Sequence, residues 1–183
     1  IIDNLTQWTI EAWVKTTSSG TVISRRNGTD DTVDDFNFLL GITPEGTLIG
    51  RFALLFFETF ALAPPVPRLD FVLNDVVGGI TVADGQWHHV AYMRDSQNGG
   101  LYVDGQLDVT QGNLLTPFDV SFINPGVHIQ EGPVDIGSGL DGNIDEVRIW
   151  DRALTTAELQ VNSSQNLTGR EPGLVSYISF DFQ

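Results

Sequence analysis

The chain has 183 residues and no cysteine, and its 24 acidic against 9 basic residues give a formal net charge of −15 at pH 7. The length fits one domain with a substantial core, and the missing cysteines exclude disulfides, thiolate metal sites and cysteine nucleophiles. The acidity predicts no nucleic-acid partner and disfavours anionic membranes, because both require clustered Lys and Arg. The longest apolar run, residues 52–63, contains Glu58 and ends at Pro64, so we expect no membrane insertion.

Short alternating segments separated by Gly, Pro and Asp recur about every ten residues, which is typical of sandwiches and barrels rather than of βαβ units. In the first segment, residues 8–15, Trp8 and Ala12 fall on one face and Glu11 and Trp13 on the other. Further strands are predicted at 22–24, 36–41, 48–55, 69–73, 87–94, 100–103, 106–109 and 143–150. The dipeptide Asp104-Gly105 predicts a tight hairpin turn, because both residue types tolerate positive φ.

Two regions interrupt this pattern. Residues 25–35 form an acidic loop, and residues 111–133 form a long connection that contains three prolines. After the strand at 143–150, Thr155 is followed three residues later by Glu158. This spacing is a capping box and predicts one short helix near the C-terminus.

Three stretches carry a family resemblance: W-T-I-E-A-W-V-K at 8–15, D-G-Q-W-H-H-V-A at 84–91 and D-G-N-I-D-E-V-R-I-W at 141–150. In order and spacing they resemble the laminin G-like, concanavalin A-like jelly-roll domains of secreted and surface proteins. The resemblance implies an all-β fold, a two-sheet antiparallel jelly-roll sandwich, as a single domain over residues 1–183. Residues 169–182 resemble a strand that closes one such domain or opens the next. We therefore expect a module excised from a larger multidomain protein, located extracellularly or at the cell surface.

The resemblance also implies a calcium ion at the sandwich rim. Carried over to this sequence, the ligands are Asp145 and Asp141, with Gly142 between them freeing a backbone carbonyl, and Asp3 and Asn4 from the amino terminus. Hard cations take such oxygen ligands. The alternative is that Asp145 and Glu146 only solvate an edge or pair with Arg148.

The acidic loop is a candidate site for a second cation or for a ligand, and its carboxylates are Asp30, Asp31, Asp34 and Asp35. The run lacks the glycine and the terminal glutamate of an EF-hand, so it favours a solvated acidic loop. Long loops on a rigid sandwich are nevertheless where recognition is expected, near 25–35 and 111–133.

Four tryptophans raise the possibility of sugar stacking. Trp8, Trp87 and Trp150 lie in strand motifs of the family and are interpreted as core residues, whereas Trp13 faces away from Trp8 and is a candidate ligand contact. The adjacent His88 and His89 point to opposite faces of a strand and cannot share a metal; one of them is expected to be buried and hydrogen-bonded.

No catalytic pattern is present. The chain lacks the E-x-D-x-x-E strand of concanavalin A-like glucanases, and adjacent Asp145 and Glu146 would point to opposite faces. We expect a non-catalytic, calcium-binding extracellular module that recognises a carbohydrate or a surface protein, as in an adhesin. The alternatives are an accessory carbohydrate-binding domain of a secreted polysaccharide-degrading enzyme and a structural spacer; neighbouring domains of the parent chain are further partners.

Overall fold

A computed structural model describes residues 5–26, 36–59, 67–96, 98–111, 133–165 and 167–180. Its strands are Gln7–Thr16 (β1), Gly20–Arg26 (β2), Phe36–Ile42 (β3), Thr47–Thr59 (β4), Pro67–Thr81 (β5), Trp87–Asp95 (β6), Asn98–Val103 (β7), Gln106–Gln111 (β8), Val134–Ile136 (β9), Gly142–Trp150 (β10) and Leu174–Ile178 (β11). One helix, Thr156–Asn162 (α1), lies between the last two strands.

The strands form two antiparallel sheets. Sheet A has six strands in the order β11-β10-β1-β6-β7-β8, and sheet B has five in the order β5-β4-β3-β2-β9. Neighbours in a sheet are often distant in sequence, as with β1 between β10 and β6. The predicted jelly-roll sandwich with one short helix is therefore confirmed.

The core lies between the inner faces of the two sheets. Its centre is Trp8 of β1, whose ring lies 5.1 Å from that of Tyr92 and 6.3 Å from those of Phe38 and Phe52, measured between centroids. Because Phe38 and Phe52 belong to sheet B, Trp8 connects the two sheets. Gly50 lies directly over Tyr92, where any Cβ would be 2.6 Å from the ring.

A second apolar cluster lies on the outer face of sheet A, beneath α1. Trp150 and Tyr102 of the sheet pack there with Leu154 and Leu159, and Leu174 lies at its margin. The helix begins at a full capping box: Thr155 accepts a hydrogen bond from the Glu158 amide, and the Glu158 carboxylate accepts one from the Thr155 amide. Within the described part of the chain, α1 and its flanking residues therefore cover one part of the outer face of sheet A.

At one margin of the sandwich the sheets are linked by Asp108 of β8. Its carboxylate accepts hydrogen bonds from the amides of Gly79 and Ile80 in β5, at 3.0 to 3.2 Å. Among the described residues, no helix is long and apolar enough to cross a bilayer.

Candidate functional site

A cleft opens on the part of the outer face of sheet A that α1 leaves uncovered. It has a volume of about 340 Å³ and is lined by Trp13, Trp87, Asp145 and Glu146. We call it the outer cleft. Its walls come from β1, β6 and β10, three adjacent strands of the sheet.

Strand register brings these residues together. Trp13 lies opposite Asp145 on one side and opposite His89 on the other, whereas Trp87 lies opposite Lys15. Trp13 and Trp87 are thus diagonal neighbours, about 7 to 8 Å apart at the backbone. Directly opposed residues share a face, so both indoles project to the outside of the sandwich.

Trp87 corrects the prediction that it is a core residue. The structure leaves 43% of it exposed, while Trp8 and Trp150 are buried as predicted. The reason is strand parity: Val90 and Tyr92 of the same strand face the core, and Trp87 lies an odd number of residues away from both.

A β-bulge at Glu146 shapes the floor of the cleft. The register of β1 against β10 shifts between Glu11 and Trp13, and Glu146 has φ of 51°, in the left-handed region. Its carboxylate turns back into the sheet, where it accepts hydrogen bonds from Arg148 Nη2 and from the Tyr177 hydroxyl, both at 2.6 Å. Glu146 is therefore neutralised and fixed rather than free for a ligand.

Asp145 differs from its neighbour. Its Oδ1 accepts hydrogen bonds from the amides of Glu146 at 2.7 Å and Phe180 at 2.9 Å. Within the described part of the chain, its Oδ2 makes no hydrogen bond, and the side chain borders the cleft. Asp145 thus offers the cleft an open acceptor while its other oxygen holds the backbone.

A buried polar network lies beside the cleft, on the same outer face of sheet A. Glu11 is fully buried, and its Oε1 accepts hydrogen bonds from Arg148 at 3.4 Å, Trp150 at 3.1 Å and Asn162 at 2.9 Å. The ring of His89, also buried, meets that of Trp13 edge to face at 5.6 Å between centroids. This contact fixes the side of Trp13 that faces the sheet.

Strand alternation alone does not reveal this network, because it places Glu11 only on the face of β1 opposite to Trp8. A signal was available, because the same three strands carry apolar residues at outward positions, namely Trp13, Ala91 and Trp150. The strand pattern does not show that α1 and the following segment cover this part of the outer face. From that cover, Asn162 donates a hydrogen bond to Glu11, and the Gln165 carbonyl accepts one from Arg148.

The predicted calcium ligands are not brought together as a pair. The strand begins at Gly142, so Asp145 lies inside it, and four steps of extended chain place the Cα atoms of Asp141 and Asp145 about 13 Å apart. The Asp141 carbonyl accepts a hydrogen bond from Thr16 Oγ1 at 2.7 Å, and its amide donates one to Ser18 Oγ at 2.8 Å. Close packing accounts for the glycine at position 142, because a Cβ there would collide with the Lys15 carbonyl.

The other predicted site residues lie outside the described residues. These are Asp3 and Asn4 for the metal, and Asp30, Asp31, Asp34 and Asp35 for the ligand. Within the described ranges, no group of three or more His, Asp and Glu side chains is arranged to hold a metal ion. Calcium at Asp145 therefore requires oxygens from elsewhere in the chain.

The two adjacent histidines face opposite sides, as predicted, but the buried one is not the hydrogen-bonded one. His88 lies at the end of β6, with Nδ1 2.9 Å from Asp104 and Nε2 3.2 Å from Asp84. Partial burial of the ring acts to lower the pKa of His88, but hydrogen bonds and charge from Asp104 and Asp84 outweigh it and raise that pKa. His89 is buried on the other face, 3.3 Å from Glu11 Oε2 through Nε2 but out of hydrogen-bond alignment.

Known proteins share this architecture. The neuronal pentraxin receptors of Mus musculus and Rattus norvegicus are each 26% identical over 121 residues, 61% of this chain and 24% of theirs, so the chain spans about a quarter of these curated relatives. A putative carbohydrate binding protein from Bacteroides ovatus superposes with a TM-score of 0.55 at 18% identity, over 96% of this chain and 45% of that one. The CBM40 of Ruminococcus gnavus IT-sialidase, bound to α2,3-sialyllactose, gives 0.56 at 19% identity, over 87% and 84%.

At these identities the solved structures establish the fold. A family model described as the concanavalin A-like lectin/glucanases superfamily matches residues 2–160. Since that match covers most of the sequence, the chain belongs to the concanavalin A-like lectin/glucanase superfamily.

Proposed function

We propose that the chain is a non-catalytic carbohydrate-recognition module and that the outer cleft receives the glycan. The observation that carries this proposal is the pair of outward-facing indoles, Trp13 and Trp87, beside the open Oδ2 of Asp145. A pyranose has an apolar C–H face that packs on an aromatic ring and hydroxyls that donate to a carboxylate. A ligand site usually combines apolar walls with a few polar groups that orient the ligand.

The rigidity of the cleft supports a recognition role. Trp13 is backed by His89, Asp145 is held by two backbone amides, and Glu146 is held by Arg148 and Tyr177. All three lie on strands rather than loops. A preformed site loses little conformational entropy when a ligand binds.

Two relatives support the ligand class. The Ruminococcus gnavus domain carries a sialyllactose in its structure, and the Bacteroides ovatus protein is described as a putative carbohydrate binding protein. Both share this fold at low identity. We propose an extracellular or cell-surface location on the same basis; whether the parent is an adhesin, a polysaccharide-degrading enzyme or a structural array depends on its other domains.

The absence of hydrolysis is part of the proposal. Glycosidases need two accessible carboxylates flanking the scissile bond. Among the described residues, Asp145 has one oxygen without a hydrogen bond and Glu146 is paired with Arg148, while Glu11 lies buried beneath α1 and the segment that follows it. Among the described residues that line the cleft, one accessible carboxylate is suited to binding and has no second accessible carboxylate for acid and base catalysis.

The test is a glycan array followed by titration calorimetry with Trp87→Ala. Trp87 is exposed, so its truncation removes the stacking surface with little loss of core packing. Leu107→Ala is the matched control, because Leu107 is exposed to 48% and lies on the distant strand β8. We expect the array ligand to bind parent and control equally and Trp87→Ala at least tenfold more weakly, about 1.4 kcal/mol. Unchanged binding by Trp87→Ala would place the ligand elsewhere.

Calcium binding is a separate part of the proposal. Asp145 keeps one oxygen open, and Asp3 and Asn4 are the expected additional ligands. Asp141 is too distant along the strand to share the ion. Bound calcium would supply a positive charge able to accept sugar hydroxyls as ligands.

A further inference from the structure

We propose that the outer cleft selects glycans that carry free amino groups, such as glucosamine oligosaccharides, over N-acetylated and carboxylated glycans. This inference rests on the proposed function, because it takes the cleft as a carbohydrate site and adds the charge of its ligand. Nothing in the family match determines that charge.

The first step is the charge that the cleft presents. Glu146 is neutralised by Arg148, whose guanidinium also approaches Glu11. Among the described residues that line the cleft, this leaves Asp145, whose Oδ1 is held by two backbone amides, as the acidic group available to a ligand. The charged side chains of the described residues here, Glu11, Lys15, Asp145, Glu146 and Arg148, comprise three acids and two bases, so their formal sum is −1.

Among the described residues near the cleft, Lys15 is the exposed cation that could reverse this preference. It lies opposite Trp87, is exposed, and does not line the cleft. An exposed ammonium on a flexible side chain is strongly hydrated and screened by salt. Asp145 is half-buried and its geometry is fixed, so its field at the cleft is the stronger.

The indole walls of the cleft also favour a positively charged ligand. An indole carries negative charge density on its face and attracts an ammonium group placed over it. Trp13 and Trp87 stand on adjacent strands with the cleft between them, and Asp145 borders the same space beside Trp13. A protonated amine on a pyranose can therefore contact an indole face and the Asp145 carboxylate together.

The same arrangement discriminates against other glycans. An N-acetyl group removes the positive charge and adds volume at the amine. A carboxylated sugar such as sialic acid brings a negative charge to Asp145 in a chain whose net charge is already −15. Discrimination thus combines attraction of one class with repulsion of another.

The experiment titrates the protein with glucosamine hexamer, N-acetylglucosamine hexamer and sialyllactose in mildly acidic buffer, where glucosamine amines are protonated. A chelator is present throughout, so that no calcium ion competes for Asp145. We expect the glucosamine hexamer to bind roughly three- to tenfold more tightly than the acetylated one, with sialyllactose weakest. Added sodium chloride should weaken only the first.

Asp145→Asn then isolates the charge, because asparagine keeps a carbonyl oxygen for the two backbone amides. We expect it to remove the preference for the glucosamine hexamer and to leave affinity for the acetylated hexamer unchanged. Glu45→Gln, in the exposed β3–β4 turn, removes the same charge away from the cleft and should preserve the preference.

The experiment distinguishes failure of the amine preference from failure of the proposed function. Equal affinity for both hexamers, or tightest binding to sialyllactose, with loss of affinity in Trp87→Ala overturns the amine preference and retains carbohydrate recognition at the cleft. A preference that survives Asp145→Asn overturns the role of that carboxylate. Absence of binding to all three sugars and to a glycan array overturns the proposed function itself.

Discussion

At the scale of single residues, His88 makes stability depend on pH. Asp104 and Asp84 raise its pKa above the ordinary 6.5 despite partial burial. The folded state therefore holds the proton more tightly than the unfolded state. The resulting stabilisation is complete below pH 6.5 and is lost as pH rises through the raised pKa.

We expect the urea midpoint of the parent to fall across that window and the midpoint of His88→Gln to fall less. Glutamine keeps hydrogen-bonding capacity towards Asp104 without a titratable proton. Parallel pH curves for the two proteins would show that the His88 pair contributes no pH dependence.

Calcium binding at Asp145 can be tested through its effect on thermal stability. A ligand that binds the folded state alone stabilises it by mass action, about 2.7 kcal/mol at a hundred times Kd. We expect Tm to rise when calcium replaces chelator and the rise to vanish in Asp145→Asn. Asp141→Asn changes the other predicted ligand, which lies just before the strand, and should leave the rise in Tm unchanged. A calcium-dependent rise that persists in Asp145→Asn contradicts the assignment.

Residue roles were predictable where they follow alternation and unpredictable where a strand departs from it. Trp8 and Ile10 follow period two and are buried as predicted. The bulge at Glu146 breaks the period, and no glycine marks it, because a glutamate takes the positive φ. Asp145 and Glu146 were accordingly predicted on opposite faces, whereas both border the outer cleft.

At the scale of elements, α1 depends on its capping box. Hydrogen bonds from the Thr155 amide and hydroxyl, together with Arg152, lower the pKa of Glu158. Thr155→Ala removes an acceptor for the Glu158 amide, so we expect a loss of about 1 kcal/mol in unfolding free energy. Thr156→Ala, one residue later and also exposed, is the control and should cost nothing. Equal effects in chemical denaturation would exclude the cap as the cause.

The elements themselves were largely predictable. The Asp104-Gly105 hairpin has the positive φ angles, 51° and 73°, that its residues implied, and α1 begins at the predicted cap. Strands β4 and β5 extend beyond their predicted ends because they pair with each other over most of their length. The three-residue strand β9, just after the long connection, was not predicted, since its pairing with β2 is a long-range contact without a local signal.

At the scale of the whole molecule, charge opposes compactness. A net charge of −15 on 183 residues produces mutual repulsion that the folded state concentrates. Sodium chloride screens exposed charges over about 10 Å at 0.1 M. We therefore expect Tm to rise with sodium chloride while a chelator is present. A Tm that falls with salt would mean that attractive ion pairs, such as Arg152 with Glu158, outweigh the repulsion.

The covering of sheet A on both faces affects how the sequence can diverge. Residues 8–12 of β1 are all buried, with Trp8, Ile10 and Ala12 against the core and Thr9 and Glu11 beneath α1 and the chain that flanks it. In a strand with one solvent-facing side, every second residue is exposed and can be substituted with little effect on stability. This one has no free position over five residues, so related sequences should preserve it as an unbroken block while the rim loops diverge around it.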